Sequence, residues 1–312
     1  MRIGYPCINR TIDCTANNTF RLKSYSEIRL IDSLNKNLEC LRKILQFNVE
    51  NGLLFFRISS DLVPFASHPR NSFNWQKRFQ EEFEGIGEHI IKNRIRISMH
   101  PDQFTLINSL TEEIFQRSKN ELEYHAEILD LMNLDTTAKI QIHVGGVYGD
   151  KEKSIERFIE RFNKLDKFVT RRLVIENDDR LYNVNDCLKI NSETHIPILF
   201  DAFHHKLNNS TTQTTQEYFK LATRTWNEKN DGAPMVDYSS QKPDGPPRQH
   251  AETIDLADFG FFLRQTEPFD YDVMLEIKDK EKSALKALNF AMGDSRLKNF
   301  NKLASIRLFS EK

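Results

Sequence analysis

The residues best suited to chemistry stand where short apolar runs end. His100 follows Arg94–Met99, His143 lies at the end of Lys139–Val144, and Glu176 follows Leu173–Ile175. Asp201 follows Ile196–Phe200 and leads to His204 three residues later. Asp237 lies within Met235–Tyr238, His250 in the segment beyond it, and Glu276 near the end of Val273–Ile277. Imidazole nitrogens and carboxylate oxygens on one face make a site suited to zinc, manganese or iron. A single strand-end histidine is ordinarily a hydrogen-bonded loop residue, but eight correlated positions reverse that reading. Glu176, Asp201, Asp237 and Glu276 would raise one another's pKa values if brought together without cations. Eight donors exceed the roughly four to six that one ion takes, so two or three divalent ions are expected, with one carboxylate bridging. Phosphodiester hydrolysis is the reaction such a cluster suits. His68 lies in the segment after the second run, and His89, His125, His195 and His205 are assigned no chemistry.

The elements that must position these groups are readable as an alternation. Arg2–Tyr5, Leu53–Ile58, Arg94–Met99, Lys139–Val144, Leu173–Ile175, Ile196–Phe200, Met235–Tyr238 and Val273–Ile277 have the length and composition of strands. Helical periodicity fills the intervals, as in Leu38-Leu41-Ile44-Leu45, Phe79-Phe83-Ile86-Ile90, Leu122-His125-Ile128-Leu129 and Ile155-Phe158-Ile159-Phe162. Eight such units predict one domain over residues 1–312, a single (β/α)8 TIM barrel whose reacting groups gather at the carboxyl ends of its strands. A doubly wound open sheet fits the same alternation, but no Gly-rich turn follows the first strand. Leu207–Gln216 and Ser239–Gln249 read as long loops on the active face, and Lys282–Phe309 as two closing helices.

The formal charge of -1 announces neither a nucleic-acid binder nor an enzyme of acidic substrates, although setting four carboxylates aside leaves the remainder mildly basic. Cys7, Cys14, Cys40 and Cys187 are scattered without a C-x-x-C and read as reduced thiols. No signal-peptide pattern and no membrane-spanning run is visible, so an intracellular, cytoplasmic protein is expected.

Six motifs in order carry a resemblance over essentially the full length. They are Gly4-Tyr5-Pro6-Cys7-Ile8-Asn9, Arg57-Ile58-Ser59-Ser60, Ser98-Met99-His100-Pro101-Asp102-Gln103-Phe104, His143-Val144-Gly145-Gly146, Leu173-Val174-Ile175-Glu176-Asn177-Asp178 and Asp201-Ala202-Phe203-His204-His205. On these the chain resembles the UV damage endonucleases, and more distantly the endonuclease IV class of abasic-site nucleases. The resemblance implies an enzyme that nicks damaged double-stranded DNA 5′ of a UV photoproduct, and also of abasic sites, leaving a 3′-hydroxyl. Manganese is then the first choice of ion, with zinc, magnesium or cobalt as alternatives, and a monomer without membrane or obligate protein partner is expected.

Carried over residue by residue, the resemblance makes Glu176 the bridging carboxylate, with His100 and His143 on a first ion. Asp201, Asp237 and Glu276 would hold a second, and His204 with His250 a third. His68 resembles an active-site histidine of the family, which makes it a candidate catalytic group. Gln103 and Phe104 match the pair that family members push into the duplex, where a ring replaces lost stacking and an amide satisfies orphaned bases. Tyr5 and Asn9 would line the pocket for the extruded nucleotides, while Arg10, Arg180, Lys206 and Arg248, with Arg70, Lys242 and Lys278, would meet phosphates. Two positions depart from the family pattern. Met235 and Asp237 stand where the family carries a carboxylated lysine and a histidine ligand, and Phe104 where relatives show tyrosine. Two readings compete with the nuclease: a divalent-metal sugar isomerase or epimerase, and a damage-binding protein with impaired catalysis.

Overall fold

A computed structural model of the chain describes residues 1–208 and 213–297. Eight strands, β1 Ile3–Pro6, β2 Phe55–Ile58, β3 Arg96–Met99, β4 Lys139–His143, β5 Leu173–Glu176, β6 Ile198–Asp201, β7 Met235–Tyr238 and β8 Asp272–Leu275, form a closed barrel in sequence order. Every neighbouring pair is parallel, β1 with β8 included. The expected (β/α)8 architecture is therefore the observed one, with each apolar run becoming a strand of about the expected span.

Side-chain alternation sorts each strand into two faces. Ile97, Met99, Ile140, Ile142, Ile175, Phe200, Val236 and Val273 join the large apolar shell that meets the helices. Phe55, Val174, Leu199, Met235 and Met274 form a separate apolar cluster inside the barrel. Towards the amino-terminal ends, Asp272 pairs with Arg2 (2.9 Å) and Arg96 (3.3 Å), while Lys139 bonds Asp231 and the Arg171 carbonyl. Inward positions one step beyond the apolar cluster carry Arg57, Gln141, Glu176, Asp201, Asp237 and Glu276. The interior is thus layered, ionic below, dry in the middle and ionic again at the carboxyl edge.

The helices are set by apolar stripes and caps. Glu27–Glu50 begins where the Ser26 side chain accepts the Arg29 N–H, and it buries Leu30, Leu34, Leu38, Leu41, Ile44 and Leu45. Val184–Thr194 begins with a reciprocal cap between Asn183 and Asp186. Glu281–Phe290 is the first expected closing helix, and the second falls in residues 298–312, outside the described residues. Residues 209–212 of the Leu207–Gln216 segment also lie outside them. Among the described residues, no helix is long and apolar enough to cross a membrane.

The cysteine expectation requires correction. Cys14 and Cys40 are joined as a disulfide with Cα atoms 5.8 Å apart, while Cys7 and Cys187 are free. The pairing is tertiary: Cys40 lies on the buried side of Glu27–Glu50, and Asn18 and Asn37 hold the amino-terminal segment against that helix. A spacing of 26 residues gives no local sign of it.

Two glycines of the helix Gln80–Lys92 test this packing. A Cβ on Gly87 would lie 1.8 Å from the Met132 carbonyl oxygen, whereas one on Gly85 would meet nothing within 4 Å. Gly87→Ala should therefore cost at least about 2 kcal/mol, and Gly85→Ala should stabilise by roughly 0.5–1 kcal/mol. Denaturant midpoints of the two variants check the pair.

Candidate metal centre

The strand ends converge into three overlapping sets of donors: His100, His143 and Glu176; Glu176, Asp201 and His204; and Asp201, Asp237 and Glu276. Within each set the ligand atoms lie within 4.8 Å of one another. Glu176 and Asp201 each belong to two sets. His100 Nε2 is 3.5 Å and His143 Nε2 3.8 Å from Glu176 Oε2, and His204 Nδ1 is 2.9 Å from Glu176 Oε1. His204 thus groups with Glu176 and Asp201 rather than with His250. The α-helical turn Ala202–Leu207 explains this, because Asp201 caps it by accepting the His204 N–H and turns the imidazole back over the strand end.

His250 lies beside the cluster and in none of the three sets. Its Nδ1 bonds the Glu276 carbonyl at 2.8 Å, and its ring meets Phe203 edge-on. His68 is exposed in the segment after β2, with Nδ1 accepting the Arg70 N–H at 3.0 Å and its ring near Phe65. It too lies outside the sets.

The donors fit divalent ions on the structure's own terms. His143 Nδ1 and Asp201 Oδ2 are buried without a hydrogen-bond partner, a costly arrangement unless a Lewis acid or proton completes it. His100 Nδ1 lies 2.6 Å from the Pro101 carbonyl, which selects the tautomer with a free lone pair on Nε2, the atom that faces Glu176. The same carbonyl edge is braced from behind: Ser60 donates to the His100 carbonyl, and His125 Nε2 contacts the Ser60 hydroxyl at 3.1 Å.

Two residues not singled out from the sequence as site groups complete the centre. Arg57 is 3 % exposed, and its Nη2 donates to both oxygens of Asp237, at 2.9 and 2.7 Å. Its Nη1 donates to Glu276 Oε1, and Gln141 Oε1 accepts from Nη2 at 2.7 Å. The Gln141 amide in turn donates to Glu176 Oε2 and, at 2.7 Å, to Asp237 Oδ2. The available signal was an arginine and a glutamine inside otherwise apolar strands, in phase with the inward positions. Met235 lies two residues before Asp237 in the dry layer and is fully buried, so it presents no ligand to the cluster.

The carboxylates respond to burial and to these neighbours. Burial works against ionisation of Glu176, yet the imidazoles of His143, His100 and His204 hold it well below the usual carboxylate range. Burial pushes Asp201 well above that range despite His204, and pushes Asp237 up to about 7 against the opposing pull of Arg57. At Glu276 burial is outweighed by Arg57, which brings the group to about 2. Burial opposes the charge on His204 too, but Asp201 and Glu176 raise it to about 11. Burial pushes His143 down, which leaves a neutral nitrogen for a ligand.

Other expected contacts divide between surface and interior. Gln103 and Phe104 are exposed on the segment that leaves His100, Phe104 by 72 %, so the ring is a surface group and not core. Tyr5 and Asn9 are instead buried. Strand alternation turns Tyr5 towards the helices, where its ring meets Phe56 and its hydroxyl donates to Asn48 at 2.6 Å. Asn9 donates to the Tyr5 hydroxyl at 2.9 Å and accepts the Thr11 and Ile12 N–H groups. In this structure the two residues make packing and turn-forming contacts. Arg180 and Arg248 both reach Asp179, at 3.4 and 2.7 Å, and Lys206 pairs with Asp258 at 2.9 Å. Exposed Arg10 donates to the Lys278 carbonyl.

A closed parallel barrel with a histidine–carboxylate centre at its carboxyl edge defines the class, a (β/α)8-barrel enzyme whose donors suit divalent ions. The family model described as UV-endonuclease UvdE matches residues 1–308. A UV DNA damage endonuclease of Clostridium perfringens is 38% identical over 311 residues, covering 100% of this chain and 74% of the relative. The crystal structure titled SacUVDE superposes with a TM-score of 0.90 at 44% identity, covering 95% of this chain and 100% of that one. Endonuclease IV from Thermus thermophilus, at 15% identity and a TM-score of 0.57, shares the fold. The chain belongs to the UV-endonuclease UvdE family, and it is accordingly an endonuclease, a phosphodiester hydrolase.

The charge on His204 makes loading of the centre a proton exchange. Its raised pKa keeps the proton bound through neutral pH until pH rises towards about 11, and an ion taking that nitrogen must expel it. Mn2+ affinity should therefore rise with pH between 5 and 8. Calorimetric titration in buffers of different ionisation enthalpy should show net proton release on Mn2+ binding, with about one proton less in His204→Ala; equal release in the two would remove His204 from the ligand set.

Proposed function

We propose that this enzyme repairs DNA by nicking the damaged strand of a duplex 5′ of UV photoproducts, with divalent ions at the strand-end cluster. The observation that carries the reading is the run from His100 to Phe104, which joins a donor of the cluster to an exposed aromatic ring within five residues. A ring at that place can enter the stack while the donor stays fixed on β3, and Gln103 beside it offers an amide to unpaired bases. Bound ions, manganese first, supply Lewis acidity to the scissile phosphate and lower the pKa of an attacking water.

The chain's own residues hold the rest of the geometry. Glu176, tied by the Gln141 amide, keeps its negative charge between His100, His143 and His204. Exposed His68 is available for a phosphate oxygen at the rim, and His250 keeps a ring nitrogen beyond its Glu276 contact. Arg180, Arg248 and Lys206 face carboxylate partners that a phosphate backbone can replace, and Arg10 adds an exposed cation. A buried, closed sugar site has no use for an exposed Phe104, which favours the nuclease over the epimerase reading.

A duplex with one defined photoproduct and its undamaged twin, each with Mn2+ or chelator, test the proposal. Incision of the lesion strand alone, only with metal, is expected. Glu176→Gln should lower it by more than roughly 100-fold; binding without incision would leave a damage-binding protein, and turnover of a free sugar would overturn the nuclease. Phe104→Ala should weaken incision by about tenfold, the value of one stacked base, at unchanged metal content.

A further inference from the structure

Of the three donor sets, the third differs from the others in holding a cation that cannot give up its proton, the Arg57 guanidinium. Both oxygens of Asp237 accept from Arg57, one of them also from Gln141, and Glu276 Oε1 accepts from the other guanidinium nitrogen. Arg57 and Asp237 are 3 % and 0 % exposed, so neither side chain can turn to water to release the pair. Asp201, shared by the second and third sets, keeps Oδ2 without a hydrogen-bond partner, whereas both oxygens of Asp237 are taken.

Formal charge points the same way. Four ionised carboxylates and one guanidinium sum to −3, so two divalent ions bring the centre to +1 and three bring it to +3. A phosphodiester carries a single negative charge and neutralises the first of these. In a dry interior an uncompensated charge is costly, and like charges a few ångströms apart are strongly repulsive.

We propose that Arg57 is a resident cation that takes the place of a third metal ion, so that the centre holds two, at His100/His143/Glu176 and Glu176/Asp201/His204, with Asp237 the counter-ion of Arg57. The inference rests on the metal-dependent reading above and says how that centre is filled. Arg57 is a positioning residue for Asp237 and Glu276, and its planar fork suits two carboxylates at once.

The test is stoichiometry, read without activity. Metal-free protein is dialysed to equilibrium against Mn2+, and bound metal is counted by mass spectrometry, with folding followed by circular dichroism. The wild type should bind two ions, Arg57→Lys two, and Arg57→Gln three, because Asp237 and Glu276 become free to ligate. Asp237→Asn should still bind two. Three ions in the wild type, loss of an ion in Asp237→Asn, or two in folded Arg57→Gln would each overturn the inference. If Arg57→Gln does not fold, the wild-type and Asp237→Asn counts decide it. No bound metal at all in the wild type would instead sink the metal-dependent reading itself.

Discussion

The contact on which the centre depends is the buried fork of Arg57 between Asp237 and Glu276. Four carboxylates meet where the barrel opens, and burial alone would keep most of them protonated. Arg57 divides them. Glu276 is drawn down to about 2, while burial pushes Asp237, which is deeper, up to about 7 against the pull of the same guanidinium. Gln141 carries this arrangement across the barrel by accepting from Arg57 and donating to both Asp237 and Glu176. One side chain on β2 is thereby connected to carboxylates on β5, β7 and β8.

The layer beneath explains why this contact is so consequential. Phe55, Val174, Leu199, Met235 and Met274 put an apolar layer below the cluster, so its charges are answered mainly sideways or from the open edge. The lower ionic layer, with Arg2, Arg96 and Asp272, satisfies itself separately.

Strand ends were the legible part of the sequence. A period of two fixes which residue of each run faces inward, and the donors after the apolar runs at His100, Glu176 and Asp201 emerged at the open edge as read. What escaped depends on contacts between distant segments. Tyr5 has the type expected of a stacking residue, but its phase places it against Phe56 and Asn48, among the helices. Asp237 is met by Arg57, 180 positions earlier in the chain, a contact that neither segment announces by its spacing. Cys14 and Cys40 are paired by the docking of one segment on a helix, which no spacing rule announces. The grouping of His204 was local in origin, since a capped turn after Asp201 sets it, yet only the turn's geometry distinguishes Glu176 from His250 as its neighbour.

Rigid and adaptable parts of the site are separated by secondary structure. The donors of the cluster lie on strands, or one turn beyond them, with hydrogen bonds that fix ring orientation, as Pro101 does for His100 and Asn177 for His204. Gln103 and Phe104 lie only three and four residues from His100 but outside any regular element, with their side chains in solvent. On the proposed function, a surface that enters a distorted duplex would benefit from that freedom, whereas ions require fixed donors. The exposed cations follow the same division. Arg180 and Arg248 share the single carboxylate of Asp179, so one negative charge holds two guanidiniums that it cannot fully neutralise. A phosphate arriving there exchanges one anion for another without exposing a buried charge, and binding at the rim can proceed while Arg57 and its carboxylates stay in place.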